Sequence, residues 1–390
     1  MKLFSLAMGL LLAMLAPGAV AAETNSVQFK KQQLDAAFRS EGVAVADFNN
    51  DGKLDIAAGS VYYVAPDWQM TPIWEQAKEY QPTGYSHSFN NFAEDLNGDG
   101  WADLIVVDWP GNQTYWYENP QTAGGPWQRR LIADVTNNES PQYVDVDGDG
   151  QRELVAATSP KPKQSDAAER YMAVFDRTED PYAPWQPTAI SKPSAPNTTR
   201  YAHGLGVGDI NQDGRNDVVV PQGWWEQPAD DRSPWAWHAA PLGDQGADMQ
   251  VYDFDGDGDN DVLASSPHAY GIWWYEQTGE GWKKHVIDNS FSQTHAVQVA
   301  DINGDGLPDF VTGKRWWAHA KGDPGVDEPA VLFWYELTRE ANGPAWIPHQ
   351  IDHNSGVGTQ FQIADLNADG LPDIVTSNKK GVYYFEQVRE

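Results

Sequence analysis

The chain has 390 residues, carries a formal net charge of −30 at pH 7 and contains no cysteine. Without cysteine the fold cannot be stabilised by disulfides, so its stability must come from a hydrophobic core, from bound metal ions or from both. The negative charge argues against nucleic acid and against anionic membranes as partners.

Residues 1–22 have the pattern of a secretory signal peptide. Lys2 precedes an apolar run from Leu3 to Leu15, and small residues lead to a predicted cleavage after Ala22. The apolar run is too short for a membrane helix and no later stretch is long enough, so no membrane span is predicted. We therefore expect a mature protein that is periplasmic or secreted.

From residue 23 onward the chain is dominated by one repeat. The pattern D-x-[D/N]-x-D-G-x-x-[D/E] occurs seven times, first at DFNNDGKLD and last at DLNADGLPD, with starts 44 to 64 residues apart. An alternating strand such as VAVADF precedes each copy. An apolar run, an aromatic strand and a fourth strand such as WKKHVID follow it. This pattern predicts an all-β fold, a single seven-bladed β-propeller of four-stranded blades over residues 23–390.

The two ends of the chain predict how the ring closes. The last repeat stops after its third strand, GVYYFEQ, and the segment FKKQQLD (Phe29 to Asp35) aligns with the fourth-strand segment WKKHVID (Trp282 to Asp288). An N-terminal strand that completes the last blade would close the ring and hide both edges. The repeat resembles the FG-GAP/VCBS repeats of integrin-α-like propellers. This resemblance implies a seven-bladed propeller with cation-binding loops on one rim.

The acidic positions of the repeat predict structural Ca²⁺ sites. Hard cations take six to eight oxygen ligands, and a tight turn with oxygens at positions 1, 3, 5 and 9 gathers several of them around one point. An EF-hand begins in the same way, but it needs a Glu at position 12 and flanking helices, whereas here positions 10 to 12 continue into a strand. The expected ligands are Asp47, Asn49, Asp51, Asp55, Asp95, Asn97, Asp99, Asp103, Asp145, Asp147, Asp149, Glu153, Asp209, Asn211, Asp213, Asp217, Asp253, Asp255, Asp257, Asp261, Asp301, Asn303, Asp305, Asp309, Asp365, Asn367, Asp369 and Asp373. Glu153 in place of Asp, and Asn50 and Ala368 in place of Gly, predict that occupancy varies among the loops.

The direction of the strands assigns the histidines to the two faces of the ring. Each inner strand runs into an acidic loop, so the starts of inner strands and the turns between second and third strands lie on the opposite face. Six histidines map there: His87, His203, His268, His295, His319 and His353. The other three, His238, His285 and His349, fall in fourth strands and are predicted to be surface residues at the outside of the ring.

Further reactive residues map to the same face as the six histidines. The position six residues before the first motif aspartate is Glu41, Glu139, His203 or His295 in four of the blades, and Asp248 lies one place later in a fifth. The turns add Tyr270, Lys314, Arg315, Trp316 and Trp317, and two insertions would form walls around a pocket. Histidines, carboxylates and cations around one funnel suit proton abstraction, with a cation to stabilise the resulting negative charge.

Three segments, HGLGVGDI…VVVPQGWWEQP, SSPHAYGIWWYEQ and GKRWWAH, resemble the propeller part of aldos-2-ulose (anhydrofructose) dehydratases. Those enzymes also carry cupin domains, which have no counterpart in this sequence. The resemblance implies a sugar lyase or dehydratase. In such a reaction a base removes a proton α to a carbonyl, and a leaving group departs from the β carbon.

A hypothesis for the roles of individual residues follows. His203 or His295 is the base, Arg315 and Lys314 stabilise the enolate oxygens, and Tyr270 or His268 protonates the leaving group. A carbohydrate would be contacted by Glu139, Asp248, His87, His319, Trp316 and Trp317. A second divalent metal such as Zn²⁺, held by His203, His295 and Asp248, is a further hypothesis, since imidazole suits such ions. The alternative function is a non-catalytic, calcium-stabilised propeller that binds glycan or protein.

Overall fold

The protein is described by a computed structural model that covers residues 26–122, 125–160, 169–230, 233–243, 246–340 and 343–389. The predicted signal peptide lies outside these ranges. Within them the chain forms seven four-stranded antiparallel sheets and no α-helix. The predicted all-β, seven-bladed propeller is therefore confirmed. No helix long and apolar enough to cross a membrane occurs in these ranges.

Each sheet is one blade, and in blades 1 to 6 the four strands follow one another in chain order. The first strand of the chain, β1 (Val27–Asp35), belongs to blade 7. Blade 1 contains β2 (Ala44–Ala46), β3 (Asp55–Ala58), β4 (Val61–Val64) and β5 (Gln69–Pro72). Blade 2 contains β6 (Asn90–Glu94), β7 (Asp103–Val107), β8 (Asn112–Glu118) and β9 (Gln128–Thr136). Blade 3 contains β10 (Gln142–Val144), β11 (Glu153–Thr158), β12 (Tyr171–Asp176) and β13 (Gln186–Ala189).

The remaining blades repeat this order. Blade 4 contains β14 (Gly206–Gly208), β15 (Asp217–Val220), β16 (Gly223–Glu226) and β17 (Ala236–Ala239). Blade 5 contains β18 (Gln250–Tyr252), β19 (Asp261–Ser265), β20 (Tyr270–Thr278) and β21 (Gly281–Ser292). Blade 6 contains β22 (Val297–Ala300), β23 (Asp309–Gly313), β24 (Leu332–Glu340) and β25 (Gly343–Asp352). Blade 7 contains β26 (Phe361–Ala364), β27 (Asp373–Asn378), β28 (Gly381–Arg389) and β1.

The hydrophobic core lies between neighbouring blades. Second strands such as β7 are buried along their whole length, because both of their faces pack on apolar side chains. The buried side chains form seven clusters, and each cluster joins two consecutive blades. One of them packs Val375 and Tyr384 of blade 7 against Ile56 and Tyr63 of blade 1. The ring is therefore closed by core packing between its first and last blades.

Strand β1 is the fourth strand of blade 7. It pairs antiparallel with β28, from Val27 opposite Arg389 to Asp35 opposite Val382. This is the position that the alignment of FKKQQLD with WKKHVID indicates. The pairing covers the free edge of β28, which would otherwise expose a row of unpaired N–H and C=O groups.

The three histidines of the fourth strands lie on the outside of the ring, but they are engaged rather than free. Each stacks on a tryptophan of the third strand with ring centroids 4.1–4.2 Å apart, and its Nε2 lies 2.6–2.9 Å from a glutamate carboxylate. The triplets are His238–Trp224–Glu226, His285–Trp274–Glu276 and His349–Trp334–Glu336. Their role is structural, since they fasten the fourth strand to the third.

Candidate functional site

The seven acidic loops share one set of backbone contacts. In every loop the glycine at position 6 donates its N–H to the first aspartate, as Gly306 does to Asp301. The fifth residue donates to the third side chain in the same way. Position 4 has a positive φ, even where Asn50, Gln212 and Ala368 replace glycine with φ of 56°, 60° and 61°. These three substitutions therefore keep the positive φ of the turn.

The acid at position 9 is buried in every loop. In blade 6, Asp309 accepts a hydrogen bond from the N–H of Ile302 at 3.0 Å and another from Leu337 of the third strand at 2.8 Å. Burial raises the pKa of Asp309 to about 7, although these hydrogen bonds oppose the shift, and the neighbouring Asp305 adds to it. The equivalent acids of the other six loops have pKa values raised to about 6 or about 7 for the same principal reason. Each acid ties its loop to the blade.

The loops have the donor set of a hard cation. Carboxylate oxygens of positions 1, 3 and 9 lie within 4.8 Å of one another in blade 3 (Asp145, Asp147 and Glu153) and blade 5 (Asp253, Asp255 and Asp261). The other five loops have asparagine at position 3, whose amide oxygen is also a hard ligand. The residues present therefore fit the predicted Ca²⁺, which stays a prediction.

Four histidines meet at the opposite ends of the inner strands. His203 and His295 precede the inner strands β14 and β22, while His268 and His319 follow the second strands β19 and β23. The six distances between their ring centroids are all between 4.3 and 6.2 Å. Glu139 and Asp323 lie against these rings. We call these residues the central cluster: Glu139, His203, His268, His295, His319 and Asp323.

Four side chains of the central cluster could together hold a metal ion. The ligand atoms of Glu139, His203, His295 and His319 all lie within 4.8 Å of one another. Nδ1 of His295 is 3.2 Å from the backbone oxygen of Gln293, so Nδ1 carries the proton and Nε2 is free as a donor of its lone pair. That Nε2 is buried and has no hydrogen-bond partner. Carbonyls and carboxylates commonly orient metal-binding histidines through the other ring nitrogen.

His319 and His203 support the same interpretation. Nδ1 of His319 is 2.6 Å from the carboxylate of Asp323, which orients the ring in the manner of carboxylate–histidine–metal sites. Nε2 of His203 is 3.2 Å from the carboxylate of Glu139, yet the two atoms are not aligned for a hydrogen bond. The side chains of His268 and His319 are 30% and 24% exposed, so the central cluster is open to solvent on their side.

Arg315 connects the central cluster to blade 1. Its guanidinium lies 2.8 Å from the carboxylate of Glu41 and 3.2 Å from that of Glu139, and all three side chains are buried. The planar fork of the guanidinium is thus used by two carboxylates and neutralises buried negative charge. Arg315 holds Glu139 in place instead of facing the open side of the cluster.

Charges and burial set the protonation states of the central cluster. Burial opposes ionisation of Glu139, but His203 and Arg315 outweigh it and hold the pKa of this carboxyl down to about 2. Burial lowers the pKa of His268, His295 and His319, and in His319 the value falls to about 4 with a further contribution from the Arg315 charge. These imidazoles are therefore neutral at neutral pH, the state in which they bind metals or accept protons.

Other residues predicted for the site lie outside the central cluster. Nζ of Lys314 is bonded to Ser292 and to the backbone oxygen of Gly325, and the hydroxyl of Tyr270 donates to Glu328 at 2.6 Å. These two residues form a separate group with Glu328, which lies 3.7 Å from Lys314.

The remaining predicted contacts are also separate. Asp248 is buried and accepts hydrogen bonds from Gln142 and from the N–H of Val297, so it is not one of the clustered ligands. His87 pairs with Asp108 at 2.8 Å. Trp316 lies under the amine of Lys380, and the backbone oxygen of Trp317 accepts a hydrogen bond from Lys379.

Asp323 is the member of the central cluster that the sequence interpretation missed. It lies four residues after His319 in the long insertion of blade 6. A histidine followed at this spacing by a carboxylate, in a segment already expected to wall the pocket, was the available signal.

Comparison with known families agrees with this architecture. The profile of the FG-GAP-like repeat matches residues 95–156 and 253–312. The chain carries FG-GAP-like repeats. Each matched segment starts at the first aspartate of an acidic loop and extends into the second strand of the next blade. The FG-GAP-like unit therefore begins at an acidic loop and includes the outer strands of that blade.

Comparison with individual proteins gives distant similarities. Phosphatidylinositol-glycan-specific phospholipase D of Dictyostelium discoideum is 24% identical over 170 residues, which cover 33% of this chain and 17% of that protein. A lectin of Agrocybe aegerita that recognises non-reducing terminal N-acetylglucosamine has a TM-score of 0.49 at 12% identity, covering 94% of this chain and 90% of the lectin. A rhamnogalacturonan lyase of Bacillus licheniformis has a TM-score of 0.43 at 12% identity, covering 92% and 75%.

Proposed function

We propose that this protein is an exported, metal-dependent carbon–oxygen lyase that acts on a sugar or uronate at the central cluster. The observation that carries the proposal is the convergence of Glu139, His203, His295 and His319, with the Nε2 of His295 buried and unpartnered. An unsatisfied buried donor or acceptor is costly, so such an atom calls for a ligand. The predicted signal peptide supports export.

The donor set favours a zinc-like ion over calcium at this position. Imidazole nitrogens with one carboxylate suit zinc and related transition metals, whereas calcium prefers oxygen ligands alone. His203, His295, His319 and Glu139 would hold the ion. When bound, such an ion supplies a Lewis acid that stabilises negative charge on a carbonyl oxygen.

His268 is the residue of the central cluster best placed to exchange a proton with a substrate. It is partly exposed, its pKa is lowered by burial, and its Nδ1 lies 3.5 Å from the carboxylate of Asp323. That carboxylate would stabilise the imidazolium formed when His268 takes the proton α to a carbonyl. The C–H electron pair then forms the new C=C bond, and the C–O bond to the β leaving group breaks. The departing oxygen keeps the electron pair of that bond and takes a proton from solvent at the open side of the cluster. The predicted bases His203 and His295 are buried, and in this proposal they bind the metal instead.

Metal content and elimination activity test this proposal together. We expect the wild-type protein to contain about one equivalent of zinc or a similar metal per chain by elemental analysis. It should also form an unsaturated, ultraviolet-absorbing product from a ketosugar or a uronate glycan. His295→Ala should lose both properties, because it removes the unpartnered ligand. His349→Ala is the matched control, since this histidine stacks on Trp334 at the outside of the ring.

Two results would contradict the proposal. If His295→Ala retained the metal as fully as His349→Ala, the central cluster would not be a metal site. If the wild type held the metal but bound glycans without forming any unsaturated product, the non-catalytic glycan-binding propeller would be the correct function.

A further inference from the structure

A second cavity lies between blades 1 and 2, away from the central cluster. It has a volume of about 960 Å³, within the range of cavities that bind small ligands. Its walls are rich in aromatic rings, among them Trp74, Tyr80, Tyr115 and Tyr117, and its floor is the core between the two blades. Charged side chains at its walls include Lys78, Arg129 and the His87–Asp108 pair.

A smaller cavity lies beside this one and shares His87 with it. The smaller cavity, of about 320 Å³, is lined by Tyr85, Trp109 and His87, and His87 also lines the larger cavity. The ring of Tyr85 packs edge-on against Trp109 with centroids 4.3 Å apart. The hydroxyl of Tyr85 donates to the backbone oxygen of Ala318, the residue before His319. We call the two cavities together the blade-2 groove.

The lining of the blade-2 groove matches the chemistry of a saccharide chain. The C–H faces of sugar rings pack on aromatic rings, while their hydroxyl groups exchange hydrogen bonds with carboxylates, imidazoles and guanidinium groups. Trp109 donates through Nε1 to the hydroxyl of Tyr201, which extends the aromatic surface towards blade 3. The His87 side chain is 63% exposed at the junction of the two cavities, so its ring edge is available to a ligand.

We propose that the blade-2 groove binds an extended saccharide chain and directs one of its residues to the central cluster. The larger cavity alone exceeds the volume of one sugar ring, and aromatic side chains line both cavities. The proposal rests on the proposed function for the site of reaction, whereas the binding itself is a separate property. A ligand that fills both cavities would contact His87, which lines each of them.

Binding of saccharides of different length tests this proposal. Calorimetry on the full chain would compare galacturonate with hexagalacturonate, and glucose with cellohexaose. We expect at least one hexasaccharide to bind about ten-fold more tightly than its monosaccharide, because it adds stacking contacts along the groove. His87→Ala and Trp109→Ala should each weaken hexasaccharide binding about five-fold. Trp237→Ala is the matched control, because this tryptophan is exposed on the outer strand of blade 4.

The outcomes separate this inference from the proposed function. Hexasaccharides that bind no more tightly than monosaccharides would overturn the groove, as would an unchanged affinity in His87→Ala, an exposed position where the fold is not at risk. If the wild type forms the unsaturated product but its affinity does not depend on chain length, the proposed function is supported and the groove is not. Length-dependent binding that persists in His295→Ala supports the groove. If such binding occurs but the wild type forms no product, the groove is supported and the lyase function is not.

Discussion

Arg315 is the residue that balances charge between the central cluster and blade 1. It is 1% exposed and bridges two buried carboxylates, Glu41 and Glu139. Taking charges out of water is costly, and removing one partner of a buried ion pair leaves the other charge without compensation. The position of Glu139, and with it the geometry of the cluster, therefore depends on this guanidinium.

Arg315→Met should lower the free energy of unfolding by about 3–5 kcal/mol, because it removes the guanidinium that both buried carboxylates contact. Urea denaturation followed by tryptophan fluorescence measures the change. Adding Glu41→Gln to this variant should restore part of the lost free energy of unfolding, because it removes one of the two buried charges that Arg315 compensates. If the double variant lost the sum of the two single effects, the two side chains would not be coupled, contrary to this account.

At the scale of single residues, the sequence predicted on which face of the ring a side chain lies better than it predicted which side chains it contacts. Strand direction placed His203, His268, His295 and His319 on one face, and the structure brings them together. The direction of the strands did not indicate that the guanidinium of Arg315 forms ion pairs with two buried carboxylates. Arg315 is 176 residues from Glu139 and 274 residues from Glu41 in the sequence. Their pairing depends on the directions of side chains in different blades, which no local sequence pattern predicts.

The acidic loop is the element that repeats most faithfully along the chain. Its ninth residue is buried and bonded to the backbone in all seven blades, and its pKa is raised to between about 6 and about 7. A raised pKa means that the folded protein without metal holds these protons more tightly than the unfolded chain. Over the interval from the ordinary 3.8 to about 7, the contribution of these groups to stability therefore falls as pH rises.

Calcium binding should reverse this dependence, because a bound cation favours the ionised carboxylate. We expect calcium binding at pH 6 to release protons and binding at pH 8 to release almost none. Calorimetry in two buffers of different ionisation enthalpy measures the number of protons released. The rise in melting temperature on adding calcium should likewise be larger at pH 8 than at pH 5. Equal proton release at pH 6 and pH 8 would show that the ninth-position acids do not belong to the calcium site.

At the scale of elements, the sequence was more informative because each blade repeats the same local signals. The acidic turn, the apolar second strand and the aromatic third strand recur seven times. A strand that is ambiguous in one repeat can therefore be assigned by alignment with the other repeats. The stacking of His238, His285 and His349 on third-strand tryptophans was not predicted. Cross-strand pairs depend on register, and the lengths of the connecting turns that set the register differ among the blades.

The whole molecule is a ring closed by a strand from the opposite end of the chain. Strand β1 pairs with β28, and Val27 and Phe29 pack on the cluster between blades 6 and 7. Lys31 also pairs with Asp352 of blade 6 at 2.8 Å. The last blade therefore depends on residues more than 300 positions away, and the closure of such a long loop costs conformational entropy that the paired strand must offset.

Deletion of residues 26–35 should open blade 7. The edge of β28 would then be exposed, with its unpaired backbone groups free to pair with other chains. We expect a lower melting temperature and association of the truncated protein in size-exclusion chromatography. A truncated protein that stayed monomeric with an unchanged melting temperature would show that β1 is dispensable for the ring.

Moving β1 to the C-terminal end of the chain distinguishes the effect of its pairing with β28 from the effect of its covalent connection to blade 1. Because Val27 lies opposite Arg389, residues 27–35 could follow β28 through an Asn-Gly turn and form an ordinary hairpin. Blades 5 and 6 already join their third and fourth strands by such hairpins, with Thr278 opposite Gly281 and Glu340 opposite Gly343. This permuted chain should recover the monomeric state lost on deletion. It should melt somewhat below the native chain, because blade 7 would no longer be tied covalently to blade 1. If it behaved like the truncated protein, the covalent link at Asp35 rather than the paired strand would be what closes the ring.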